Sequence, residues 1–186
     1  MTSALRTISL LAIFASVAFA ADGSPRANKA TWPNTQYAKV IGYRFKLPSD
    51  DAKDSGPVPS GFSLLNKSGV DTKQLAELTV KSVELTKQQI ADLLRATFNP
   101  THRVNPAACY DPHHIFIFYS DDGTALSAIE VCFSCTGIAT TPDTPKSKWY
   151  RHDFVALARL TDALGLWLEH RTVAQYEALR KEQDKP

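Results

Sequence analysis

The stretch from residue 115 to residue 133 reads IFIFYSDDGTALSAIEVCF, and it decides the expected fold. Its first five residues, 115–119, are all apolar or aromatic, which is typical of a central strand buried on both faces of a sheet. Residues 120–123 follow as a turn, because Asp122-Gly123 supplies the positive φ that a tight hairpin needs. Residues 124–133 then return as the second strand. The stretch therefore predicts a central hairpin over about 113–133.

The hairpin brings two separate clusters of Cys and His together. If the loop is Asp122-Gly123, residues whose numbers sum to 245 lie opposite each other, so that His113 faces Cys132. If the loop has four residues, the sum is 243 and Cys132 faces Asp111. In both registers the sequence Cys132-Phe133-Ser134-Cys135 lies beside residues 109–114, at the end of the hairpin away from the turn.

Helices and further strands are predicted on both sides of the hairpin. Residues 40–47 (VIGYRFKL) and 76–85 (AELTVKSVEL) have strand-like composition. Thr86 with Gln89 forms a capping box at the start of a helix that ends at Asn99-Pro100.

The C-terminal part is predicted to be helical after an irregular segment, 136–148. Apolar residues from 154 to 164 follow helical spacing, with Asp153 near the start and Gly165 as the stop signal. A last charged helix covers about 172–181. This order predicts an α+β fold with a mostly antiparallel sheet, covered by two or three helices.

The N-terminus carries the pattern of a secretory signal peptide. Arg6 precedes an apolar run of thirteen residues, 8–20, and Ala18-Phe19-Ala20 matches the small-x-small cleavage pattern. Such a run is shorter than the roughly 20 residues that span a bilayer. We therefore expect cleavage after Ala20, export to the periplasm or the medium, and no membrane anchor on the mature chain.

The rest of the chain is predicted to be an extended N-terminal arm, 21–37, followed by a single globular domain, 38–186. A Pro- and Gly-rich loop, 48–61, interrupts that domain. The chain has 21 basic and 19 acidic residues among 186, and this balance lacks the basic excess of nucleic-acid-binding proteins.

The three cysteines and two of the five histidines form the candidate site. An exported protein meets oxidising conditions, and an odd number of Cys leaves at least one thiol free, metal-bound or paired with another molecule. Zinc prefers four Cys or His ligands, often with two Cys spaced by two residues, and copper(I) also suits thiolates and imidazole. We predict a zinc or copper site, whose candidate ligands are Cys109, His113, His114, Cys132 and Cys135.

Three other uses of the same cluster remain open. Cys109 could form a structural disulfide with Cys132 or Cys135, since neighbouring strands allow the Cα separation that a disulfide needs. The Cys-x-x-Cys sequence could exchange disulfides, although such motifs usually sit at a helix N-terminus and here a strand precedes Cys132. A Cys nucleophile could be activated by His113 or His114, with Asp111 as its orienting group. The residues alone do not decide whether the protein is an enzyme.

The segment 109–141 resembles a group of small exported bacterial proteins with no assigned function. The resemblance is carried by the opening Cys-Tyr-x-Pro-His-His, the buried strand, the Asp-Gly turn and the closing Val-Cys-Phe-x-Cys. It implies that the two clusters belong together, and it brings no activity, cofactor or substrate with it.

Overall fold

Strand β5 (His114–Tyr119) lies at the centre of the sheet, and all six of its residues are buried. The computed structural model describes residues 32–33, 35–46, 61–98, 110–143, 152–168 and 171–183. Within this part of the chain, the main sheet has the order β4-β1-β5-β6-β7, and every neighbouring pair is antiparallel. The predicted α+β fold with an antiparallel sheet and a central hairpin is confirmed.

The elements follow one another along the chain as three strands, a helix, a strand, a helix, three strands and two helices. They are β1 (Lys39–Phe45), β2 (Leu65–Asn66), β3 (Gly69–Val70), α1 (Thr72–Leu78), β4 (Thr79–Glu84), α2 (Lys87–Phe98), β5, β6 (Ala125–Cys132), β7 (Gly137–Thr141), α3 (Phe154–Ala163) and α4 (Val173–Gln183). Strands β2 and β3 form a separate two-stranded ribbon.

The hairpin adopts the first of the two predicted registers. Pairs from His114↔Val131 to Phe118↔Ser127 follow the sum of 245, and an irregularity then pairs Tyr119 with Ala125. Gly123 has φ +83° and donates its N–H to the carbonyl of Ser120, which closes the turn. The register at the Cys132 end therefore depends on this irregularity beside the turn as well as on the turn itself, which is longer than the two residues Asp122-Gly123.

The two faces of the sheet carry different layers. Phe116 and Phe118 of β5 share a core with α2, α3 and α4, whose buried residues include Leu93, Leu157 and Tyr176. On the other face, Ile115 and Ile117 pack with residues of β1, α1 and the segment before β2: Phe45, Leu75 and Leu64. Alternating side chains of a strand point to opposite faces, so neighbouring residues of β5 and β6 enter different cores.

The helix starts and stops that were predicted from capping residues are confirmed. Thr86 donates its N–H to Gln89 Oε1 (2.8 Å), and Gln89 donates its own to Thr86 Oγ1 (3.3 Å). Asp153 Oδ1 accepts the N–H of Ala156 at the start of α3. Gly165 has φ +67° just after α3 ends.

Two of the predicted assignments were wrong. Residues 76–85 do not form one strand, because α1 continues to Leu78 and β4 begins at Thr79. Asp71 starts α1 by accepting the N–H of Gln74, and burial of Leu75 then holds the helix against the sheet. Residues 136–148 are not all irregular, since 137–141 form β7, whose backbone pairs with β6 from Cys132↔Gly137 to Ala128↔Thr141.

Other predictions fall on residues that the structure does not describe. The signal peptide, 1–20, lies outside the described residues, as do most of the arm, 21–37, and nearly all of the loop, 48–61. Among the described residues, none of the helices has the length and apolar character needed to span a bilayer.

Candidate thiol site

Cys132 and Cys135 lie at the junction between β6 and β7. Cys132 is the last residue of β6, and a four-residue turn leads from it to Gly137, its partner on β7. Both side chains are buried, with exposed fractions of 0% for Cys132 and 1% for Cys135. Thr136 closes the turn with φ +49°, a left-handed conformation that is rare for a β-branched residue. We call Cys132, Cys135 and the groups that contact them the thiol site.

Two backbone N–H groups point at the sulfur of Cys132. The N–H of Asp111 donates to Cys132 Sγ over 3.4 Å, and the N–H of Cys135 donates to the same sulfur over 3.3 Å. Hydrogen bonds to the charged form of a group stabilise that form. The two donors act in favour of a thiolate at Cys132, the state that a metal ligand or a nucleophile requires, while the complete burial of the side chain acts against the charged form.

The contact from Asp111 confirms that the two sequence clusters are neighbours. Cys132 was expected beside residues 109–114, and the hydrogen bond joins it to that segment directly. The hairpin register makes this contact, because it aligns the start of β5 with the end of β6.

Tyr110 packs against Gly137, the strand partner of Cys132. A Cβ built on Gly137 would lie 2.9 Å from Tyr110 Cδ2, 3.0 Å from Tyr110 Cε2 and 3.9 Å from Cys132 Cβ. The ring thus occupies the space that a side chain at position 137 would need. The Tyr110 hydroxyl donates to Glu130 Oε2 over 3.1 Å.

Glu130 holds Tyr110 from inside the protein. Its side chain is fully buried on the same face of β6 as Cys132, and it accepts hydrogen bonds from Ser63 Oγ (2.6 Å) and the N–H of Leu64 (2.8 Å). Burial raises the pKa of the Glu130 carboxyl, although the hydrogen bonds from Ser63, Leu64 and Tyr110 act in the opposite direction. Sequence reasoning missed Glu130; the available signal was a single acidic residue in an otherwise apolar strand.

The same neighbourhood raises the pKa of the Tyr110 phenol. Burial is the largest cause, followed by the negative charge of Glu130, with a smaller contribution from Cys132. Tyr110 is therefore a neutral hydrogen-bond donor at ordinary pH.

His113 lies on the Cys132 face of the sheet. Its ring stacks on Phe45 with centroids 6.4 Å apart, and its Nδ1 is 3.2 Å from the carbonyl oxygen of Asp111. A carbonyl only accepts, so Nδ1 donates its proton in this contact. Histidines that bind metals commonly donate their other ring N–H in this way.

His114 faces the opposite side. It pairs across the hairpin with Val131, and its ring meets the edge of Phe133 at 5.2 Å between centroids. Its Nε2 lies 3.1 Å from the carbonyl oxygen of Leu166 and 3.0 Å from that of Trp167. Strand alternation therefore puts Cys132 and His113 on one face of the sheet and His114 on the other, while Cys135 lies in the turn after β6.

Cys109 falls outside the described residues, and it directly precedes Tyr110 in the sequence. Within the described part of the chain, no three His, Cys, Asp or Glu side chains come close enough together to hold a metal ion. Cys132 and Cys135 are not joined to each other by a disulfide.

Comparisons of the chain with known protein families, with curated proteins and with solved structures found no match. The resemblance of segment 109–141 to small exported bacterial proteins therefore stays a prediction.

Proposed function

We propose that this is an exported protein, periplasmic or secreted, that binds one zinc or copper ion through Cys132 and Cys135. The two N–H donors on Cys132 Sγ carry this proposal, because they stabilise the thiolate that such a metal needs. Export is supported by the N-terminal apolar run and its small-x-small cleavage pattern.

Further ligands are available around the thiol pair. His113 donates its Nδ1–H to a backbone carbonyl, the outer contact that metal-binding histidines commonly make. Cys109 is tethered one residue from Tyr110, which contacts the site, and consecutive Cα atoms are only 3.8 Å apart. Three Cys and His113 would complete the four-ligand set that zinc prefers, whereas copper(I) would use the thiolates.

The mass of the mature protein under native and denaturing conditions tests the proposal. The expected result is a native mass that exceeds the denatured mass by one zinc or copper ion, with all cysteines reduced. A polypeptide two hydrogens lighter, with no metal, would contradict the proposal and would indicate a disulfide between two of the three cysteines.

Paired variants test the individual ligands. Cys132→Ser and Cys135→Ser should abolish binding, while Ser134→Ala in the same turn should leave one ion per chain. His113→Gln should weaken zinc binding by about tenfold or more, whereas the adjacent His114→Gln on the other face should not. Equal effects of the two His variants would contradict the ligand set.

A thiol-dependent enzyme is the second candidate function. The same two N–H donors would activate Cys132 as a nucleophile, and Cys135 lies three residues away as a resolving thiol. For this candidate we expect a metal-free protein with one rapidly alkylated cysteine, Cys132.

A further inference from the structure

Cys132 has no exposed surface, so a metal ion or a reagent reaches its sulfur only after something moves. Tyr110 lies next to Cys132, on the side of the sheet to which a Cβ of Gly137 would point. Its ring lies against Gly137, the strand partner of Cys132, while Tyr110 itself is only partly buried and borders the solvent.

Tyr110 is held in place by hydrogen bonds at both ends. Its hydroxyl donates to Glu130 Oε2 over 3.1 Å, and its carbonyl oxygen accepts the N–H of Gly61 over 3.2 Å. Glu130 is fixed in turn by Ser63 and Leu64. The next residue, Asp111, donates its N–H to Cys132 Sγ. The same short segment therefore positions both the Tyr110 ring and one of the hydrogen-bond donors to the sulfur.

We infer that Tyr110 is a gate for the thiol site, closed by its hydrogen bond to Glu130 and by its fit over Gly137. Opening breaks the Tyr110–Glu130 hydrogen bond and removes the ring from Gly137, which exposes the Cys132 sulfur. The gate controls how fast the site exchanges its contents. That the gate controls metal exchange rests on the proposed function. That it controls access to the Cys132 thiol does not.

Alkylation of the reduced, metal-free protein by iodoacetamide measures the gate. Modification is followed at Cys132 and Cys135 separately by mass spectrometry of the peptides, because the chain contains a third cysteine, Cys109. A buried thiol reacts in proportion to the population of its open state.

Tyr110→Phe keeps the ring and removes the hydrogen bond to a carboxylate, so we expect about a tenfold faster reaction at Cys132. Tyr110→Ala removes the ring and should be faster still.

Tyr119→Phe is the matched control. Tyr119 lies at the other end of β5, on the same face of the sheet, and its hydroxyl forms a hydrogen bond with Tyr43 (2.8 Å). This variant should react at the wild-type rate. An equal increase in both Phe variants, or none in Tyr110→Phe, would overturn the gate. Thermal unfolding of each variant shows whether it is folded at the temperature of the assay.

The two proposals fail separately. Faster alkylation of Tyr110→Phe in a protein whose native mass shows no metal would keep the gate and remove the metal function. One bound ion, together with a wild-type alkylation rate in Tyr110→Phe, would keep the metal function and remove the gate. If both hold, capture of the ion by a chelator should also be about tenfold faster from Tyr110→Phe.

Discussion

Glu130 shows how one side chain can organise several segments. A carboxylate without exposed surface is costly to bury unless it has hydrogen-bond donors, and Glu130 has three, from Ser63, Leu64 and Tyr110. Two of these donors precede β2 and the third precedes β5, so a single residue of β6 ties two distant parts of the chain to the sheet.

His152 gives a prediction about stability and pH. Burial lowers the pKa of its imidazole, although a hydrogen bond to the carbonyl oxygen of Thr97 acts in the opposite direction. A lowered pKa in the folded state contributes stability above the ordinary pKa of histidine, and this stability is lost as pH falls through the folded pKa. Urea unfolding at about pH 7.5 and about pH 5 should show a smaller loss for His152→Gln than for the wild type. Equal losses would exclude His152 as a cause of acid destabilisation.

Gly137→Ala should destabilise the protein through Tyr110. The new Cβ would meet the Tyr110 ring at 2.9 Å, and overpacking of this kind typically costs about 1–3 kcal/mol. The clash disappears when the ring is removed, so Gly137→Ala should cost much less in a Tyr110→Ala background. A double-mutant cycle of unfolding free energies measures this coupling. Additive effects would show that Gly137 is required for another reason.

At the scale of elements, the turn between β6 and β7 shapes the thiol site. It aims the N–H of Cys135 at the sulfur of Cys132, and Thr136 completes it with a left-handed backbone. A β-branched residue in this conformation costs about 1–3 kcal/mol, and the turn is retained because the flanking strands are paired.

Thr136→Gly should therefore stabilise the protein. Glycine adopts φ +49° without strain. The release of backbone strain should exceed the extra conformational entropy that glycine loses on folding, so the free energy of unfolding should rise by about 1 kcal/mol. Ala139→Gly is the control within extended β7, and it should instead cost about 0.5–1 kcal/mol. Chemical unfolding of both variants gives the comparison, and a loss of stability in Thr136→Gly would contradict the strain argument.

The elements that sequence reasoning located have local causes. The buried run 115–119, the Asp122-Gly123 turn and the Thr86–Gln89 capping box each determine their structure within a few residues. Strand β7 was missed because Pro142 and Pro145 suggested irregular backbone, whereas its pairing with β6 decides the outcome. The start of α1 did carry a signal, since Asp71 stands directly before a run of good helix formers.

The candidate site was only partly predictable, because local sequence signals place some of its residues and long-range packing places the others. The hairpin register placed Cys132 beside the Cys109–His114 segment, and Asp111 confirms that proximity. The period of two in a strand separates His113 from His114, but only the cores on each face show which of them lies with Cys132. The role of Glu130 depends on long-range packing with Ser63, Leu64 and Tyr110, which composition and spacing do not reveal.

At the scale of the whole molecule, the export that we propose would determine the chemistry that the cysteines meet. We expect the mature chain to begin at Ala21, because cleavage follows the Ala18-Phe19-Ala20 pattern. N-terminal sequencing of the protein from the periplasm or the medium of an expressing bacterium checks this. A chain that retains residues 1–20 in the cytoplasm would place the thiols in a reducing compartment, where disulfides are rare.

The position of β1 has a consequence for how the chain folds while it is being moved across a membrane. β1 lies between β4 and β5, and its pairing from Lys39↔Tyr119 to Arg44↔His114 joins residues far apart in sequence. A chain that crosses N-terminus first delivers β1 early, yet the central partner β5 arrives only after about half of the remaining chain has passed. The sheet cannot close until then, because such non-local pairing requires the long intervening segment to be present. If the chain is exported as proposed, translocation would therefore meet an open chain, and the order of strands in the sheet would keep it open until the hairpin emerges.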